Sequence, residues 1–207
     1  MVFTMHAQVS RYDKQAGPTV VRQVIAAARR EFFLHGFRRV SMDDLASELR
    51  MSKKTLYGCF PSKSLLVEAV LKDKFHEVEK DLGRLAAEDS SDMEGAIHRF
   101  LHRVQRHTSE IHPSFVRDLG RESPDLFRIV EHRRRRLIRR HVAALFNKGR
   151  KAGLIRKDIS VVLLIEILLG AVEAIMIPSR VTELGLTLEK GYSTIIRVVL
   201  EGAMVRR

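Results

Sequence analysis

The sequence offers little from which to build a covalent or catalytic centre. One cysteine, Cys59, stands among 207 residues, so there is no intrachain disulfide framework and no CxxC metal site, which fits a reducing cytoplasm. No Gly-rich phosphate loop, Ser-His-Asp arrangement or HExxH occurs. Cys59 has no His or acid at a spacing that would activate it, so neither catalysis nor a cofactor is expected. No segment alternates with the period of a strand and no stretch repeats, which leaves an all-α chain. The N-terminus lacks the apolar core of a signal peptide. Residues 1–18 read as a flexible polar arm, from which Arg11 and Lys14 could also help to hold DNA. The one long apolar run, 161–177, is short and interrupted by Glu166 and Glu173, so burial in protein is expected and a membrane span is not.

Positive charge is what the chain has in excess. There are 37 Lys and Arg against 25 Asp and Glu, a net charge of +12, and 13 of those cations against 7 acids fall before residue 75. An anionic partner is implied, most strongly for the first third.

Within that third, residues 41–62 read as two short helices joined by a tight turn. Ser41 with Asp44 is a capping-box pattern, and Asp43 and Asp44 suit the positive end of a helix dipole, so a helix is expected over 42–49. Arg50 and Met51 make the turn, and Ser52 caps a second helix that stops before Pro61. Its first turn carries Lys53 and Lys54, the wrong sign for the dipole, which is intelligible if a polyanion binds there. A helix, a short turn and a polar-basic helix form the pattern of a helix-turn-helix whose second member enters the DNA major groove.

Phe37-Arg-Arg-Val-Ser-Met-Asp-Asp-Leu-Ala and Ser52-Lys-Lys-Thr-Leu-Tyr-Gly-Cys-Phe-Pro-Ser-Lys-Ser-Leu-Leu66 resemble the signature of TetR-type transcriptional regulators. The likeness covers about 19–66. It implies an N-terminal three-helix DNA-binding domain, a C-terminal helical ligand-binding and dimerisation domain over 67–207, and a homodimer whose two heads span a palindrome. Two positions depart from the pattern: Arg50 stands where a turn glycine is common, and Cys59 where His or Tyr is usual. The DNA-contacting set is Ser41, Arg50, Ser52, Lys53, Lys54, Thr55, Tyr57, Gly58 and Lys63. In it Ser41, Tyr57 and Lys63 hold phosphates, Lys53, Lys54, Thr55 and Gly58 approach bases, and Arg50 could reach a phosphate.

Around this head, Thr19 caps a bracing helix ending at His35-Gly36, and 63–85 forms a connector helix. Beyond a polar break at 86–92, helices are expected from Met93, between Pro113 and Ser123, from Pro124 to about Gly153, from Ser160, and finally one striped by Leu188, Tyr192, Ile195, Ile196, Val199 and Leu200. The helix from 161 is apolar nearly all round and carries small residues, so Ile167, Gly170, Ala171, Ala174, Ile195 and Val199 are the dimer candidates. On a helical wheel Arg135, Arg136, Arg139 and His132 point away from the core stripe, whereas Arg134 and His141 fall within it. Two readings stand: an internal ion-pair network with Glu166 or Glu173, or a polar anchor for an effector carrying an anionic group. The candidate effector set is His98, His102, Phe115, Arg134, His141 and Glu173. Glu94, His98 and His102 share a helix edge that could ligate a metal, but an ordinary surface edge is the expectation.

The functional expectation is a repressor released from an operator in double-stranded DNA by a small molecule. The alternatives are a ligand-binding or protein-interaction module without DNA regulation, or an enzyme.

Overall fold

The computed structural model describes residues 17–88 and 92–204, and over these the chain is helical without a strand. The helices are α1 (Pro18–His35), α2 (Met42–Glu48), α3 (Lys53–Cys59), α4 (Lys63–Ala87), α5 (Met93–Ser109), α6 (Pro113–Glu122), α7 (Pro124–Lys151), α8 (Val161–Ile175), α9 (Pro178–Glu183) and α10 (Leu188–Ala203). Arg11, Lys14 and most of the expected arm lie outside the described residues. Three local expectations change. Gly17, at φ 74°, precedes α1 in place of a Thr19 cap. Ser160 makes no side-chain cap bond. The loop expected after residue 177 contains the short helix α9.

The chain divides into two compact units, and the division does not follow the linear order. The first contains residues up to 77 together with 111–130, and the second contains 78–110 and 131 onwards. In the first unit Val21, Val24, Ala28 and Phe32 form the buried stripe of α1, packed with Leu45 and Ala46, Leu56, Cys59 and Phe60, and Leu66, Val67 and Val70. Phe115 and Leu119 of α6 complete this core. Gly36 is the point that admits α6. It adopts φ 87°, and a Cβ on it would lie 2.7 Å from Ser114 Oγ. Next to it the Phe33 carbonyl accepts from the His112 N–H at 2.9 Å, and Asp118 accepts from the Arg38 N–H at 3.2 Å.

In the second unit Ile97, Phe100 and Leu101 of α5, Val142, Leu145 and Phe146 of α7, Leu164, Ile165, Leu168 and Leu169 of α8 and Ile195, Ile196 and Leu200 of α10 are buried. Asp81 joins α4 to α5, accepting from His107 Nε2 and from Arg103, each at 2.9 Å. The α7–α8 loop is tied to the end of α10 by the Arg156 N–H donating to the Ala203 carbonyl at 2.9 Å. The last helix packs on α8 so closely that a Cβ on Gly191 would meet Met176 Sδ at 2.8 Å.

Candidate nucleic-acid interface

The turn between α2 and α3 is closed by backbone bonds. Met51 N–H donates to the Ala46 carbonyl at 3.0 Å and Arg50 N–H to the Ser47 carbonyl at 3.1 Å, the paired bonds of a Schellman end. Such an end requires a left-handed residue. Arg50 supplies it at φ 52°, the one non-glycine residue of positive φ among the described residues. The usual cost for an L side chain there is about 1–2 kcal/mol. Its guanidinium is carried on an exposed position at the start of the turn.

Both motif helices are capped by serine. Ser41 Oγ accepts from Asp44 N–H at 3.0 Å, while the Asp44 carboxylate accepts from the Ser41 hydroxyl at 2.6 Å and from its N–H at 2.8 Å. These two donors, the hydroxyl first, hold the Asp44 carboxyl below the usual carboxylate range. Ser52 Oγ accepts from Thr55 N–H at 3.1 Å and lies 2.8 Å from the Thr55 hydroxyl. The serine satisfies an N-terminal donor of α3 without an acid, which leaves Lys53 and Lys54 alone in that first turn.

Leu56 and Cys59 anchor α3, both wholly buried, while Ser52, Lys53, Lys54, Thr55 and Tyr57 are exposed. Burial pushes the Cys59 thiol up, the reverse of what a nucleophile needs. At Gly58 an added Cβ would meet nothing within 4 Å, so the missing side chain leaves open space one turn after Lys54. Lys63 stands apart from this row. Its ammonium lies 4.4 Å from the centroid of the Phe37 ring and 5.9 Å from that of Phe32. Burial lowers its pKa, and the carboxylates of Glu122, Asp118 and Asp44 work against that shift. A phosphate contact from Lys63 would require it to leave Phe37. One contact escapes a linear reading: Lys53 Nζ donates to Asp43 Oδ2 at 2.7 Å, across the turn.

Residues 24–70 match the family described as bacterial regulatory proteins, tetR family. The HTH-type transcriptional regulator TtgR of Pseudomonas putida is 32% identical over 95 residues, which is 45% of each chain. The probable HTH-type transcriptional regulator ArpR, also of Pseudomonas putida, matches at the same identity and over the same share. Over residues 24–70 this chain carries the TetR-family DNA-binding region. Its match spans less than half the length of those curated relatives. A transcriptional regulator from Saccharomonospora viridis, solved in complex with choline, has the same fold, with a TM-score of 0.74 at 18% identity over 91% of this chain and 99% of that one. A transcriptional regulator from Cytophaga hutchinsonii ATCC 33406 gives 0.72 at 18% identity, over 90% and 99%.

In this chain the residues expected to line an effector pocket do not stay together. Phe115 belongs to the first unit, where its ring meets that of Phe33 edge-on at 5.2 Å. That corrects its assignment to the body, and the cause is the docking of α6 on α1. On α5, His98 is half-buried and His102 exposed; the Glu94 side chain lies outside the described residues. Arg134 pairs with Glu131, three residues earlier on its own helix, at 2.8 Å and with Glu173 at 3.4 Å. Arg135 pairs with Glu173 as well, and Arg139 with Glu166 at 2.7 Å. Of the two readings left open for Arg134, the ion-pair network describes its contacts. The wheel turned Arg135 and Arg139 toward solvent, but both reach carboxylates on α8, because long side chains bend across the groove between packed helices.

His141 is the exception. It is buried, its Nε2 finds no hydrogen-bond partner among the described residues, its ring centroid lies 6.4 Å from that of Phe100, and its Cε1 is 3.5 Å from where a Cβ on Gly83 would stand. Burial lowers the imidazole pKa, Arg140 lowers it further, and Glu79 pulls the other way. On α10, burial pushes the Tyr192 phenol up, while Arg134 and the Thr108 hydroxyl oppose the shift.

Proposed function

We propose that this TetR-family chain is a sequence-specific DNA-binding transcriptional regulator, a cytoplasmic repressor that leaves a palindromic operator when a small molecule binds its helical body. The observation that carries the reading is the α2–turn–α3 unit, capped at both helices and presenting Ser52, Lys53, Lys54, Thr55 and Tyr57 outward from a buried Leu56 and Cys59. Lys53, Lys54, Thr55 and the bare Gly58 approach base edges in the major groove. Ser41, Arg50, Tyr57 and Lys63, once swung off Phe37, hold phosphates. No turnover chemistry is part of this reading.

Two heads on one duplex require a dimer. Leu163, Ile167, Gly170 and Ala174 form an exposed stripe along α8, and Val198 is exposed on the adjoining α10. That apolar face, with half-buried Ala171 and Val199 at its margin, supports a four-helix contact between two copies. Ile195, named among the dimer candidates, is instead buried within one copy.

For the effector, the pairing of Arg134 removes the support for an anionic group. A cation such as the choline held by the Saccharomonospora viridis protein would find Glu131 and Glu173 already engaged by Arg134 and Arg135. The unsatisfied His141 Nε2 favours a largely apolar ligand with one neutral hydrogen-bonding group. Such a ligand would press on Gly83 of α4, the helix that continues back to Lys63 beside the motif.

Selection of bound fragments from a random duplex pool tests the function. Enrichment of an inverted repeat, with half-sites about 34 Å or a multiple apart and affinity that falls steeply with salt, is the expected result. Retention of no duplex, or salt-insensitive retention, would remove DNA regulation and leave the ligand-binding module.

A further inference from the structure

The edge of the motif holds a carboxylate that helix capping does not require. Asp44 completes the capping box with Ser41, yet the neighbouring Asp43 also stands in the first turn of α2, and its Oδ2 accepts from Lys53 Nζ at 2.7 Å. This ties the first turn of α2 to the first residue of α3. Both side chains are more than half exposed, at 54% for Asp43 and 66% for Lys53. Open ion pairs of that kind add little to stability. What this one does is fix the direction of an ammonium on the face assigned to DNA.

We propose that Asp43 is a positioning residue for sequence discrimination, holding Lys53 along the α2–α3 edge so that Lys53 engages base-edge acceptors rather than whatever phosphate is nearest. The inference rests on the DNA-binding reading above. Binding to any duplex is driven by release of counterions from neutralised phosphates, each contributing about 0.9 to the slope of log affinity against log salt. A lysine already paired with a carboxylate contributes less to that indiscriminate term. At a cognate site, guanine O6 and N7 offer an ammonium two acceptors in the groove, and the pair can be exchanged for a contact that carries sequence information. Asp43 thus lowers affinity chiefly for non-cognate sequences, which widens the gap between operator and other DNA.

The test compares the full-length protein with Asp43→Asn on the selected operator and on a scrambled duplex of equal length, across a salt series. For the variant, affinity for the scrambled duplex is expected to rise about fivefold and its salt slope to steepen by about one unit, with operator affinity changing about twofold or less. Asp43→Ser, which suits a helix start, should behave in the same way. In a Lys53→Gln background, Asp43→Asn should change neither duplex. If both duplexes tighten equally, Asp43 is only a repelling charge and the proposal fails; if neither changes, it fails as well. Wild-type protein with no salt-dependent affinity for any duplex would overturn the DNA-binding reading itself, a result distinct from the other two.

Discussion

Arg50 allows backbone strain and DNA contact to be separated at one position. Its φ of 52° is imposed by the two Schellman bonds from Arg50 and Met51. Holding a side chain in that region costs about 1–2 kcal/mol, and glycine escapes it while surrendering about 0.5–1 kcal/mol more backbone entropy on folding. The difference predicts that Arg50→Gly stabilises the protein by about 0.5–1 kcal/mol. For a chain of this size that raises the melting temperature by about 1–4 °C. Arg50→Ala keeps the Cβ and therefore the strain, so its melting point should match wild type. Both variants lose the guanidinium. If Arg50 holds a phosphate, both should lose about one unit of salt slope on every duplex, the glycine variant doing so while more stable than its parent. Thermal melting monitored by circular dichroism, beside fluorescence-anisotropy titrations over a salt series, reads the two effects separately. Arg50→Gly melting at or below Arg50→Ala would refute the strain argument. An unchanged salt slope in both variants would refute the phosphate contact.

Replacing the exposed Ile167 by Lys places a charge in the middle of the α8 stripe, and sedimentation should show a dimer weakened by at least about tenfold; an unaffected dimer would move the interface off α8. His141 predicts a pH effect. Its folded pKa lies below the ordinary value, so the unfolded chain takes up the proton first, and the stability that is complete above about pH 6.5 is lost as pH falls below it. Denaturant titrations at pH 7.5 and 5.5 should show a smaller loss for His141→Gln than for wild type, and equal losses would show that the ring titrates as if solvated.

Helix identity was legible because it is settled by neighbours in the chain. The partners of the Ser41–Asp44 box stand three positions apart, as do those of the Ser52–Thr55 cap, and the apolar steps of α1 are three or four, so each is written out in order and needs no knowledge of the rest of the molecule. The positive φ at Arg50 was hinted at only by the resemblance, in which a turn glycine commonly stands at that position. The partners of the charged side chains were legible only in part, since the expected Arg134–Glu173 pair forms at 3.4 Å. What was missed is that Glu131, on the same helix, is the nearer partner of Arg134, and that Arg135 shares Glu173 while Arg139 reaches Glu166. The sequence also read Phe115 as part of the body, because it lies within 67–207, the range that the resemblance gives to the helical domain. Only packing moved it: Gly36 has no Cβ to keep Ser114 away, and Asp118 satisfies an N–H eighty residues earlier. Such contacts depend on which helix faces meet once the apolar stripes are buried. That choice is made among many nearly equal pairings by the shape of the whole core, which no window of a few residues contains.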